Sequence, residues 1–189
     1  MSLRHVTFMG VLCATFLVGT AAIFAQSAKE SFTATAAVKG AGGAAATAPV
    51  TVTVNHKMSP AEADKLTAAF KSGGAAGLRK ALTGVAPTGS VTVGGGKPTP
   101  TRITVERTTE KGRLLTIVTD RPVLFLGAGV PGAKPKAGYD FAVIDLEVDA
   151  KGAGSGTIAP AAKVTVKDGA FVVEDYSGEV VRLSNVSHK

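Results

Sequence analysis

Residues Val123 to Lys134 read VLFLGAGVPGAK, so four apolar residues run into Gly127, Gly129 and Gly132. This is G-x-G-x-x-G behind a strand-like run, the spacing of a dinucleotide-binding turn. That chemistry needs more than glycines. A helix must follow at once, so that its N-terminal N–H groups and dipole meet the pyrophosphate. Here AKPKAGYD follows, Pro135 and Gly138 exclude a stable helix, and Pro131 lies inside the motif. A shifted P-loop fails too, because Lys134 comes one residue late after Gly132 and Pro135 stands where Ser or Thr is needed. The next strand is expected near Phe141, too soon for a parallel crossover. The stretch reads as a Gly/Pro loop between Phe125 and Tyr139, with no nucleotide expected. Its length makes Gly127, Gly129, Pro131, Lys134 and Tyr139 the candidate rim of a binding site.

A second constellation is acidic. In FAVIDLEVD, Ala142, Ile144, Leu146 and Val148 share one strand face, and Phe141, Val143, Asp145, Glu147 and Asp149 share the other. Carboxylates then recur at intervals of ~7 Å along one face. Asp145, Glu147 and Asp149 could supply oxygen ligands to calcium, or an acid pair for glycoside hydrolysis, with each neighbour raising the other's pKa. The competing reading is a solvated outer face, paired across strands with Lys or Arg. It is preferred because the chain has no Trp and only two Tyr to form a sugar platform. DAKGAGSG echoes a calcium loop only loosely, since Ala and Lys hold ligand-like positions.

Nucleophilic hydrolysis is not expected either. Beyond the first 25 residues the histidines are His56 and His188, the latter one residue from the end, and no G-x-S-x-G elbow occurs. No catalytic residue and no cofactor is assigned. Gly152, Gly154 and Gly156 alternate, which marks a bulge or strong twist, or a face open to close approach by another segment.

The N-terminus suggests where this chemistry would operate. Arg4 precedes an apolar run from Val6 to Phe24, and Ala25 offers a small residue for cleavage before Gln26. Residues 1–25 read as a secretory signal peptide. The alternative is an uncleaved anchor, the only membrane contact expected. Lipidation at Cys13 is rejected because Leu12 precedes it where a small residue is required. Cys13 is the only cysteine, so no disulfide is expected. Cleavage removes Arg4 and no acid, so 21 basic and 14 acidic residues become 20 and 14, a net charge of +6. The basic residues are scattered and aromatics are few, unlike a nucleic-acid-binding stripe. A secreted or periplasmic protein of the bacterial envelope is expected.

The elements that must position these residues divide the chain into three parts. Residues 26–49, rich in Ala, Gly and Thr, read as a flexible linker. Residues 50–189 read as one domain, and ~140 residues suffice for one sizeable core. VTVTVNH is a strand by alternation. Ser59, Pro60 and Glu62 form a capping box ahead of a helix that Gly73 and Gly74 end. A second short helix, stopping at Gly84, follows, and Leu66 and Phe70 of the first with Leu78 and Leu82 of the second are the pair's expected core stripe. After Pro87 the period becomes two. Hairpins are predicted at Glu110-Lys111-Gly112, at Ala150 to Gly152 and at Asp168-Gly169, and SGEVVRLSNV is a last strand. The fold class is α+β, mainly β: an antiparallel, hairpin-built sheet curled as a barrel or sandwich, with a short N-terminal helical pair.

The runs GRLLTIVTDRPVLFLGAG, SGGAAGLRKAL, YDFAVIDLEVD and AAKVTVKDGAFVVEDYSGEVVRLSNV together resemble a group of uncharacterised secreted bacterial proteins. The resemblance spans about Val50 to Val186. It implies export and carries no catalytic residue. The expected function is a non-catalytic exported domain binding a protein or an apolar small molecule. The rival is a carboxylate-based or calcium-dependent enzyme acting outside the cytoplasm.

Overall fold

A computed structural model describes residues 29–39, 45–123, 137–167, 170–176 and 180–189. The expected signal peptide, residues 1–25, lies outside the described residues. The strands are β1 (Glu30–Lys39), β2 (Ala45–Val54), β3 (Gly89–Val93), β4 (Thr99–Thr109), β5 (Gly112–Thr119), β6 (Phe141–Val148), β7 (Ala153–Lys167), β8 (Ala170–Tyr176) and β9 (Val181–His188). One helix, α1 (Pro60–Thr83), joins β2 to β3. Neighbouring strands run β6-β5-β4-β3-β2-β1-β9-β7, and β7 returns to pair with β6. All the pairings are antiparallel, so eight strands close into a barrel. The curled sheet is therefore a closed barrel and not a sandwich. β8 stands outside the ring, paired to the distal half of β7, where Lys167 meets Ala170 across the predicted turn.

Alternation fills the barrel. Phe32, Val50, Val52, Val54, Val91, Leu115, Ile117, Ile144, Leu146, Ile158 and Leu183 belong to one buried cluster. The glycines of β7 serve this closure. A Cβ on Gly154 would run into the Glu147 carbonyl, and one on Gly156 into the Asp145 carbonyl. Bare backbone there lets β6 approach, and between the same two glycines the register of β7 against β9 shifts.

The expected flexible linker, 26–49, is corrected over Glu30–Lys39 and Ala45–Pro49, which are strand in this sheet. Glu30–Lys39 pairs along its length with Ala45–Val54, and β1 also pairs with β9. Alanine favours strands weakly, but the interior of a small barrel needs small side chains at its tighter levels. Ala36 and Ala48 are buried there, Ala34 and Ala46 pack against the same cluster, and Phe32 supplies bulk lower down.

The expected pair of N-terminal helices is also corrected. A single helix spans Pro60–Thr83 and is broken only at Gly74, with φ 57° and ψ −151°. Glycine adopts that backbone at no steric cost. It forms a kink at which the two helical halves meet, and both halves pack on the barrel. At the start of α1, Ser59 and Glu62 form the capping box: Glu62 N–H donates to Ser59 Oγ at 3.3 Å, and Ser59 N–H to Glu62 Oε2 at 2.8 Å. Leu66, Leu78 and Leu82 are buried against Ile103, Val118, Phe141, Val143, Ala159 and Val164 on the outer wall.

One mouth of the barrel is bridged by charge. Arg113, at the start of β5, forms a bidentate pair with Glu30 of β1, at 2.6 and 3.1 Å. These strands lie opposite each other in the ring of eight. Arg113 also donates to Glu106 of β4 at 2.9 Å, and Lys57, beyond β2, reaches Glu30 at 2.6 Å and Glu106 at 2.7 Å. The guanidinium sits 5.7 Å from the centre of the Phe32 ring, and the His188 and Phe32 ring centres are 5.2 Å apart. Burial pushes Glu30 and Glu106 up, but the hydrogen bonds and charges of Arg113 and Lys57 outweigh it and hold both carboxyls below their ordinary range.

Candidate binding groove

The register places three rows on the outer wall. Ile103, Val118, Val143 and Ala159 stand abreast; then Val105, Thr116, Asp145 and Thr157; then Arg107, Leu114, Glu147 and Ser155. Helix α1 covers the first row and leaves the second and third less covered. Between the first half of α1 and β8 this leaves a groove of about 460 Å³. Val105, Leu114, Val118 and Val143 form its floor, Ala63 and Thr67 of α1 one wall, and Val172 and Val173 of β8 the other. Arg107 and Asp145 supply charge at its edge. Val172 is one of two large apolar side chains exposed among the described residues, 36% open to solvent.

The acidic strand face is where its alternation places it, but its carboxylates act separately. Asp145 accepts from Thr116 Oγ1 at 2.6 Å. Glu147 lies 3.7 Å from Lys111 Nζ and accepts from Thr109 Oγ1 at 3.5 Å. Asp149 turns back into the β6–β7 turn and accepts from the backbone N–H groups of Lys151 and Ala153 at 2.8 and 2.9 Å. Among the described residues no three His, Cys, Asp or Glu side chains gather as metal ligands would. His56 lies 3.4 Å from Glu62 and His188 3.8 Å from Glu30, so the two histidines face different carboxylates.

Of the proposed loop rim, Gly127, Gly129, Pro131 and Lys134 lie outside the described residues. Tyr139, the described member of that rim, has a buried side chain, 6% exposed, and its hydroxyl donates to the Asp175 carboxylate of β8. That bond, with burial, raises the phenol's pKa. It ties the strand-proximal end of the loop to the β7–β8 hairpin. The loop joins β5 to β6, which pair directly and antiparallel, whereas a dinucleotide unit needs parallel strands.

The groove itself was not anticipated from the sequence, although a signal for it exists. Leu114-Leu115 and Ile117-Val118 are adjacent apolar pairs, so β5 has apolar residues on both faces. Such a strand needs a second layer outside the barrel, and α1 with β8 covers only part of that face. No protein-family model, curated protein or solved structure matches this chain. Among the described residues no helix is long and apolar enough to cross a membrane.

Proposed function

We propose that this chain is an exported, non-catalytic β-barrel domain that binds an apolar small molecule in the bacterial envelope, using the groove between α1 and β8. One observation carries the reading: Val105 and Leu114 are left partly exposed, beside buried Val118 and Val143, in a wall that the helix covers elsewhere. Its 460 Å³ lies within the range typical of small-ligand sites, roughly 300–1,000 Å³. The barrel interior offers a packed cluster in its place. Separate engagement of Asp145, Glu147 and Asp149 favours binding over carboxylate catalysis. The pattern of residues 1–25 supports export.

The test is titration with N-phenyl-1-naphthylamine, a neutral apolar fluorophore. Saturable one-to-one enhancement is expected. Val172→Glu and Leu114→Gln place polar groups in the groove wall and floor, and each should weaken binding about tenfold, the equivalent of ~1.4 kcal/mol. Unchanged affinity in both variants, with melting temperature retained, would refute the groove as the site.

A further inference from the structure

A second cleft, of about 530 Å³, lies beside the last turns of α1 and is lined by Arg79, Thr83, Arg102, Asp120 and Arg121. It shares no lining residue with the apolar groove. We propose that this cleft is an oxyanion site that takes a phosphate group. The first argument is preorganisation. Arg102 is largely buried, its side chain 19% exposed, and is fixed by bonds from Nε to Asp120 at 2.9 Å and from Nη1 to the Val85 carbonyl at 2.6 Å. Arg121 Nε donates to the other Asp120 oxygen at 2.8 Å. Asp120 thus divides its two oxygens between two guanidiniums and holds them side by side. Arg79 approaches from the helix and is held by Asp140 at 3.1 Å.

The second argument is unused donor capacity. Arg102 Nη2, both terminal nitrogens of Arg121, and Nε and Nη2 of Arg79 make no bond to an acceptor among the described residues. Three guanidiniums against Asp120 and Asp140 leave one net positive charge (three minus two). Packing cations together is unfavourable unless anions lie between them, and two carboxylates do not complete the neutralisation. A guanidinium fork binds two oxygens at once. Forks from three residues suit the several oxygens of a phosphate better than the two of a carboxylate.

The experiment titrates the protein purified as exported with pyrophosphate, following its arginine Nε–H signals by NMR. Saturable shifts in the millimolar range or tighter are expected. Arg79→Gln/Arg121→Gln should weaken binding about tenfold or more. Lys65→Gln/Lys71→Gln removes the same two charges outside the cleft and should leave it unchanged. Absence of saturation, or equal loss in the lysine variant, overturns the proposal; melting temperatures verify that both variants fold. A parallel arm uses phosphatidylglycerol vesicles. Vesicle binding lost in the arginine variant assigns the phosphate to a lipid headgroup, and pyrophosphate saturation without vesicle binding assigns it to a soluble compound. Both results uphold the site.

Discussion

Replacing Arg113 with Met removes the charge that spans the barrel mouth and keeps most of the apolar stem. Two carboxylates, Glu30 and Glu106, then share Lys57, with His188 3.8 Å from Glu30. Exposed ion pairs contribute ~0–1 kcal/mol, and breaking a buried one costs roughly 3–5 kcal/mol. The side chains of Glu30, Lys57, Arg113 and Glu106 are 12, 20, 27 and 31% exposed, so the network lies between these limits. Discounted for solvent screening, the loss at pH 7 is about 2–3 kcal/mol, including ~0.5–1 kcal/mol for the cation over Phe32. The sign of the pH dependence follows from the carboxylates. Their pKa values in the folded protein lie below the ordinary 4.5. The stabilisation is therefore present above that value and lost as pH falls through the lowered values. In Arg113→Met burial opposes ionisation with less compensation, so the deficit should be largest at neutral pH and shrink as the carboxylates protonate. Urea unfolding at a series of pH values from neutral to well below 4.5 measures it. A deficit of the same size at both ends, or none at pH 7, refutes the electrostatic account.

Two further outcomes are expected. Gly154→Ala drives a Cβ against the Glu147 carbonyl, and separating β6 from β7 at that point should cost about 1–3 kcal/mol by urea unfolding; an unchanged midpoint would argue against this close approach. Millimolar calcium should leave the melting temperature unmoved, because Asp145, Glu147 and Asp149 are engaged one by one; a saturable rise would mean a real site stabilising the fold and would revive the calcium-dependent alternative.

Local chemistry determined much of this molecule from its sequence alone. Ser59 and Glu62 are three residues apart and start α1 through bonds to each other's backbone N–H groups, with no help from distant residues. The turns at Glu110-Lys111 and Asp149–Gly152 are equally local, and so were the hairpins β4–β5 and β6–β7 that they generate. The alternation of FAVIDLEVD assigned its two faces correctly, because a strand's side chains have period two whatever it packs against. Tertiary structure decided the rest. An Ala- and Thr-rich segment has weak strand propensity, and β1 forms because β2 and β9 supply partners on both edges, the latter some 150 residues away. Gly74 looked like a helix stop and does take a non-helical backbone, but helix resumes directly after it and both halves pack on the wall, so the break is a kink within one element. Glu30 and Arg113 face each other across a ring of strands, and Arg79, Arg102 and Arg121 line one cleft from separate elements. Such meetings depend on closure of the barrel and on where α1 lies against it, and no local period or spacing encodes either one.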